Sequence, residues 1–360
     1  MRRRNFREWL LWGACVAGIS LSCCVLPVMA TDMESQNVAD EVDRIYSAVT
    51  SSSDYTVEEI CYVLENDEET GAELLKYLDS IALPAECDGT EADLGRTAKE
   101  DETRSYSVEY NAETGEEKIV YDDFSDEESE VSLLKQDGAW TLALAPRSYA
   151  DWTEENPQSW ADTKTIFKLY IWPQDYANVF EGTGFRISKN YIATAGHCIY
   201  CSDYKGWAGK ILCVPAYRVS DPTNPLGSSA VVVSNMAVGG RWRTAEDIDE
   251  DWGVLQLKTP MTTGYIARRC VDDIKGESAR IAGYPLGTEP LTLSWGTVTK
   301  SDDKTALANY TRCGGQSGAP VTDSNGYVIG IHRGSYGLVN KKGQFVKLDT
   351  YLFNKLNTYN

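Results

Sequence analysis

Three residues of this chain have the types and the order needed for acyl transfer by a serine: His197, Asp251 and Ser317. A serine hydroxyl is a weak nucleophile, so it needs a base that removes its proton and a carboxylate that orients that base. Histidine suits the role of base because its unperturbed pKa lies near neutral pH, and the chain of 360 residues contains 2 histidines. We therefore interpret His197 as the base, Asp251 as the orienting carboxylate and Ser317 as the nucleophile.

The local context of each residue agrees with its role. Ser317 lies in a Gly-Gln-Ser-Gly turn, whose glycines allow the backbone amides of Gly315 and Ser317 to converge on one point as an oxyanion hole. Asp251 opens an apolar stretch that is typical of a buried strand. Asp247 and Asp249 compete for its role, but neither directly precedes that stretch.

Three segments resemble the signature segments of the chymotrypsin-like serine proteases: residues 194–198, 251–257 and 315–320. Within that superfamily the chain is most similar to the bacterial glutamyl endopeptidases, which are secreted as precursors. The resemblance covers roughly residues 155–360. It implies a mostly β fold, a chymotrypsin-like double antiparallel β-barrel, with the catalytic residues in the cleft between the barrels.

The resemblance also implies a set of substrate-binding residues. His332 matches a histidine that lines the primary specificity pocket of that family, and Ser335 matches a pocket serine of some members. Thr311 stands where a trypsin-like enzyme would have an aspartate, which disfavours cleavage after Lys or Arg. Arg312 stands where the glutamyl enzymes have a small hydroxyl residue; it either binds an acidic substrate side chain, closes the pocket or turns to solvent.

The expected reaction is hydrolysis of protein or peptide substrates with preference for Glu before the scissile bond. A preference for small or apolar residues is the alternative within the enzyme class, and an inactive protease scaffold used for binding is the alternative outside it. We expect no cofactor and leave a structural calcium open. Cys198 and Cys201 have the spacing of half a zinc site, but no suitable second ligand pair follows.

The N-terminus predicts export. Residues 1–30 contain four arginines, then an apolar stretch, then Val28-Met29-Ala30, which is the order of a cleaved signal peptide. The predicted location is extracellular, either free or at the cell surface, with no stable membrane association after cleavage. We expect a monomer.

The acidic charge is confined to one segment. Net charge is +3 over residues 1–30, −24 over residues 31–147 and +1 over residues 148–360, which predicts a signal peptide, an acidic module and a protease domain. This distribution of charge argues against nucleic acid as a partner, because nucleic-acid binding needs a basic face. We interpret residues 31–147 as a pro-region of a zymogen, with an attached accessory domain as the alternative.

Removal of the acidic module needs a cleavage site. Glu154 or Glu155 would allow self-processing after Glu, whereas cleavage at Arg147-Ser148 would need another protease.

The elements that position these residues follow from periodicity. Apolar residues recur at three- and four-residue spacing over residues 36–82, which predicts helices, and alternation around Glu113-Thr114-Gly115 predicts a hairpin, so the pro-region is small and α+β. Beyond residue 160, short apolar segments separated by turn residues predict an antiparallel barrel or sandwich. Residues 348–356 predict a C-terminal helix.

The cysteines of an exported chain suggest disulfides. We expect Cys61 to pair with Cys87 and Cys198 to pair with Cys213. The five cysteines beyond residue 147 are odd in number, so one of their thiols should be free or pair elsewhere.

Overall fold

The structure is a computed structural model, and it describes most of the acidic segment and of the protease domain. The described residues are 26–51, 55–85, 105–122, 133–136, 139–142, 165–174, 178–204, 206–215, 217, 231–261, 265–287, 291–336 and 342–359. Residues 1–25 of the predicted signal peptide and both proposed processing sites lie outside them.

The acidic segment contains helices followed by short strands, as its periodicity predicted. The second helix begins with a capping box, in which the Thr56 hydroxyl accepts a hydrogen bond from the Glu59 amide and the Glu59 carboxylate accepts one from the Thr56 amide. The elements are α1 (Leu26–Thr50), α2 (Val57–Asn66), α3 (Glu68–Ile81), β1 (Leu83–Pro84), β2 (Tyr106–Asn111), β3 (Glu117–Tyr121), β4 (Leu133–Gln136) and β5 (Ala139–Leu142).

Six antiparallel strands beyond residue 160 close into a first barrel. The ring runs β6-β7-β8-β12-β11-β10, and pairing of β10 with both β6 and β11 completes it. Its elements are β6 (Ile166–Pro173), β7 (Phe180–Arg186), β8 (Tyr191–Thr194), β9 (Tyr200–Cys201), β10 (Gly206–Pro215), β11 (Val231–Gly239), α4 (Gly240–Ala245) and β12 (Gly253–Leu257).

Six further strands form a second closed barrel in the order β13-β14-β15-β18-β17-β16. Its apolar interior includes Ile281, Val321 and Phe345, each fully buried. The two barrels confirm the double β-barrel fold. The elements are β13 (Ser278–Gly283), β14 (Thr292–Ser301), β15 (Thr305–Ala308), β16 (Pro320–Thr322), β17 (Val328–Tyr336), β18 (Lys342–Lys347) and the predicted C-terminal helix α5 (Thr350–Thr358).

The acidic segment packs directly on the first barrel. Strand β2 pairs antiparallel with β11, with Val108 opposite Val238, and β1 pairs parallel with β7. Buried apolar residues of the three helices, such as Val63 and Leu78, belong to the same hydrophobic cluster as those of the first barrel. The segment therefore shares a core with the protease domain instead of forming a separate globule.

The predicted disulfide pairs are wrong, since Cys61, Cys198 and Cys213 are all free thiols. Cys87 lies outside the described residues, and Cys201 is disulfide-bonded. The Cys198 thiol packs against Gly182, where a side chain would collide with it: a Cβ at Gly182 would lie 2.9 Å from the Cys198 Sγ. Cys213 lies in β10 and Cys61 on α2, and each packs into the apolar cluster. Among the described residues, no helix is long and apolar enough to cross a membrane.

Candidate active site

Two strands of the first barrel bring His197 and Asp251 together. Strands β8 and β12 are antiparallel neighbours, with Thr194 opposite Gly253, so the end of β8 meets the start of β12. His197 lies in a single 3-10 turn just after β8, and Asp251 lies just before β12. Of the three candidate carboxylates, Asp251 is the one that reaches the imidazole; Asp247 instead caps the preceding turn.

The contact between His197 and Asp251 is short and buried. The imidazole Nδ1 lies 2.9 Å from Oδ2 and 3.1 Å from Oδ1 of Asp251, and the His197 amide donates to Oδ1 at 2.8 Å. Both side chains are buried. Gly196 permits this approach, because a Cβ there would lie 3.1 Å from Oδ1 and 2.8 Å from the Trp242 ring.

Burial and charge act in opposite directions on the pKa values of this pair. Burial lowers the pKa of His197, but the adjacent Asp251 carboxylate outweighs it and raises the pKa above the ordinary range of histidine. Burial raises the pKa of Asp251, yet His197 and Arg333 together hold it below its usual range. Asp251 is therefore ionised at neutral pH.

Ser317 enters from the second barrel, in the turn that precedes β16. Its carbonyl accepts hydrogen bonds from the amide of Thr183 at 2.7 Å and from the thiol of Cys198 at 3.6 Å. The Thr183 hydroxyl donates to the carbonyl of Gly315 at 3.0 Å. Strand β7 of the first barrel thus holds the Ser317 turn beside the residue that follows His197.

Three polar groups of His197 and the Ser317 turn make no hydrogen bond to the described residues that would prevent them from binding a reactant. Nε2 of His197 is buried and has no hydrogen-bond partner among the described residues. Within that same part of the chain, the amides of Gly315 and Ser317 donate no backbone hydrogen bond. An open base nitrogen and two open amides next to a serine are the parts that acyl transfer requires.

A second cluster contains His332, one of the predicted substrate-binding residues. Nδ1 of His332 lies 3.0 Å from the hydroxyl of Tyr310, and both side chains are buried. Burial and then the charge of Arg312 lower the pKa of His332 to about 3, so its imidazole is neutral. The Nε of Arg312 is itself buried without a hydrogen-bond partner in the described structure. Thr311 and Ser335 lie at exposed positions.

Three residues of the site were not found in the sequence. Thr183 has no signal beyond its place in an apolar strand, and Tyr310 precedes the predicted Arg312 by two residues. Arg333 follows His332 directly, and regular alternation along a strand would point the two side chains to opposite faces. Among the described residues, no group of three His, Cys, Asp or Glu side chains could hold a metal ion.

Comparison with known proteins assigns the central part of the chain. Residues 182–331 match the family model of a trypsin-like peptidase domain. The chain is 27% identical over 179 residues to an extracellular metalloprotease of Bacillus subtilis, covering 47% of this chain and 56% of that protein. It is 29% identical over 149 residues to a glutamyl endopeptidase of Bacillus licheniformis, covering 40% and 45%. The chain thus spans about half the length of the curated relatives it matches.

Two solved structures are similar to the protease domain. A Glu endopeptidase in complex with MPD has a TM-score of 0.47 at 23% identity, over 55% of this chain and 90% of that chain. A thermostable serine protease, AL20, from an extremophilic microorganism has a TM-score of 0.46 at 19% identity, over 55% and 98%.

Proposed function

The chain contains a trypsin-like peptidase domain of the chymotrypsin-like serine protease superfamily, and from this premise we propose that it is a serine endopeptidase that cleaves after acidic residues. The observation that carries the proposal is the buried pair of His197 and Asp251, whose Nε2 has no hydrogen-bond partner among the described residues, while the adjacent Cys198 contacts the Ser317 turn. The glutamyl endopeptidase of B. licheniformis supports the acidic preference.

The reaction proceeds in two acyl-transfer steps. Nε2 of His197 takes the proton of the Ser317 hydroxyl while the oxygen attacks the substrate carbonyl, and the amides of Gly315 and Ser317 stabilise the oxyanion. The imidazolium, held by Asp251, then gives its proton to the leaving amine. Water hydrolyses the acyl-enzyme by the same route.

Specificity for an acidic side chain arises from Arg312 more than from His332. A buried substrate carboxylate needs a positive charge or hydrogen-bond donors, since burial of an unpaired charge is costly. His332 is neutral, so it offers hydrogen bonding without charge, whereas Arg312 has a permanent charge and a buried Nε with no partner in the described structure. Arg312 follows Tyr310 by two residues, and the hydroxyl of Tyr310 lies 3.0 Å from Nδ1 of His332. The charge of Arg312 also lowers the pKa of His332.

The activity is tested with Ser317→Ala, compared with Ser324→Ala at an exposed position of the second barrel. We expect Ser317→Ala to reduce peptide hydrolysis by about 10³-fold or more while circular dichroism is unchanged. Ser324→Ala should retain full activity. Undiminished hydrolysis by Ser317→Ala would sink the proposal.

The specificity is tested by profiling cleavage of a peptide library with Arg312→Leu and Arg312→Lys. We expect Arg312→Leu to lose the preference for Glu by roughly tenfold to a hundredfold, and Arg312→Lys to retain part of it, because lysine keeps the charge but not the planar fork. A wild-type preference for small or apolar residues that widens in Arg312→Leu would instead mean that Arg312 closes the pocket.

We also propose that the protein is exported and that residues 31–147 are a pro-region. The relative from B. subtilis is named as extracellular. The N-terminal sequence of the secreted protein tests both statements. An N-terminus near residue 31 alone would identify the acidic segment as an accessory domain, and one after Glu154 or Glu155 would indicate self-processing.

A further inference from the structure

Arg333 contacts the carboxylate that orients the base. Its Nε lies 3.0 Å from Oδ2 of Asp251, and its Nη1 donates to Oε1 of Gln344 at 3.0 Å. Asp251 is fully buried and Arg333 is 8% exposed, so solvent screens this ion pair little. Oδ2 therefore accepts from His197 on one side and from Arg333 on the other.

An irregularity in β17 points Arg333 at Asp251. His332 pairs with Phe345 and Gly334 pairs with Gln344, so Arg333 is an extra residue opposite two consecutive residues of β18. A bulge of this kind bends the strand and redirects a side chain. As a result, the adjacent residues His332 and Arg333 have different partners: His332 contacts Tyr310 and Arg333 contacts Asp251.

A guanidinium in contact with the Asp251 carboxylate weakens the effect of that carboxylate on the pKa of His197. The negative charge of Asp251 stabilises the imidazolium form of His197 strongly in a buried site. A guanidinium that shares Oδ2 offsets part of that charge, so the imidazole stays unprotonated, and able to accept a proton, at lower pH.

We propose that Arg333 is a positioning residue that keeps Asp251 ionised, fixes its orientation toward His197 and moderates its hold on the imidazolium. This inference rests on the proposed function, in which His197 is the general base. The charged and titratable groups around His197 are Asp251 before β12, Cys198 in its own turn, and His332 and Arg333 on β17. His332 is neutral over the working pH range, and of the two nearby arginines Arg333 contacts Asp251 whereas Arg312 acts on His332.

The test is an NMR titration of the histidines in the full chain. The chain has 2 histidines and the pKa of His332 is about 3, so above pH 5 only the His197 signal should shift with pH. The measurements use Ser317→Ala, which prevents self-digestion. Arg333→Gln and Arg333→Met remove the charge, and Arg333→Lys retains it. Arg269→Gln is the matched control, because Arg269 pairs with Asp323 and Glu277 in the second barrel.

We expect both charge-removing variants to raise the titration midpoint of His197 by roughly one pH unit. Arg333→Lys should shift it much less, and Arg269→Gln should leave it in place. In the active enzyme the acid limb of kcat/KM should move upward by a similar amount. Two charge-removing variants are used because glutamine and methionine pack differently, so that if one variant misfolds the other can still be measured.

An unchanged or lowered midpoint in a folded Arg333→Gln or Arg333→Met protein would overturn the proposal and leave Arg333 as a structural ion pair. The titration does not depend on activity. Persistent hydrolysis by Ser317→Ala would therefore reject the proposed function without affecting this measurement.

Discussion

At the scale of single residues, Gly315 shows how closely the Ser317 turn packs against the segment that follows β13. Its φ of +84° lies in the left-handed region, which glycine adopts without a steric penalty. A Cβ at this position would lie 2.7 Å from the amide nitrogen of Leu286 and 2.8 Å from the carbonyl oxygen of Tyr284. Any side chain must therefore displace the turn that carries the two amides proposed to form the oxyanion hole.

We predict that Gly315→Ala lowers kcat/KM by about 10²-fold, the magnitude expected when one oxyanion donor is lost. Gly276→Ala is the matched control, since Gly276 has a φ of +90° and open space around its Cβ position. Both variants should lose about 1–2 kcal/mol of stability from left-handed backbone strain. Steady-state kinetics and urea unfolding separate the two effects, and equal activity of the variants would contradict the prediction.

The residues that sequence reasoning could and could not find differ in how local their signals are. His197, Asp251 and Ser317 each lie in a short segment whose neighbours set its conformation. Arg333 reaches Asp251 only because of a bulge, and that bulge depends on how β17 pairs with β18. The register between two strands depends on residues that are far apart in the sequence, so the local pattern of residues around Arg333 does not reveal the bulge.

At the scale of elements, a buried charge cluster fastens α3 to the first barrel. Asp79 on α3 accepts hydrogen bonds from Lys168 at 2.6 Å and from the hydroxyls of Tyr170 and Tyr217. Lys168 also lies 3.2 Å from Glu181 of β7. Two carboxylates thus share one lysine in a dry site, which favours protonation of one of them.

Glu181 is the carboxylate that holds the proton. Burial raises its pKa to about 8; Lys168 opposes this and the Asp79 carboxylate adds to it. The ordinary pKa of glutamate in an unfolded chain is about 4.3. Between these values the folded protein binds more protons than the unfolded chain, so the stabilisation that is complete below about pH 4.3 is lost as pH rises toward 8.

We predict that the melting temperature falls between pH 5 and pH 8 through Glu181 and that Glu181→Gln reduces this slope. Glutamine keeps the shape of the protonated carboxyl and does not titrate. Glu277→Gln, at a half-exposed position of the second barrel, is the control and should keep the wild-type slope. Calorimetry over this pH range measures the effect, and parallel slopes for wild type and Glu181→Gln would refute it.

The individual elements of the acidic segment could be predicted, but their docking could not. Periodicity located the helices and the hairpin around Gly115 because those features depend on nearby residues. The pairing of β2 with β11 joins segments that are far apart in the chain, and its register places Tyr110 opposite Met236. Asp79 carries no local signal either, since its three donors lie on the barrel.

At the scale of the whole molecule, the acidic segment and the protease domain are complementary. The segment contributes Glu58, Glu117 and Asp122 to ion pairs with basic residues of the domain, and the pair of Asp122 with Lys355 is buried at 2.6 Å. Exposed pairs contribute little, so the shared hydrophobic cluster supplies most of the attachment. A covalent link between the two parts is therefore not needed to hold them together.

We predict that the two parts remain associated after the chain is cut between them. A site for a specific protease inserted after Arg147, in a Ser317→Ala background, allows cleavage without self-digestion. Because Cys201 is disulfide-bonded, the experiment is run with a reductant. The cut protein should then elute from a size-exclusion column with the uncut chain at moderate ionic strength and separate only when denaturant is added, because separation exposes apolar side chains of β2 and the helices. Val108→Asp, which places a charge at a buried position of β2 opposite Val238, should weaken the association. Separate elution of the cut wild-type parts in native buffer would show that the shared cluster does not hold them, and the acidic segment would then act only while it is covalently attached.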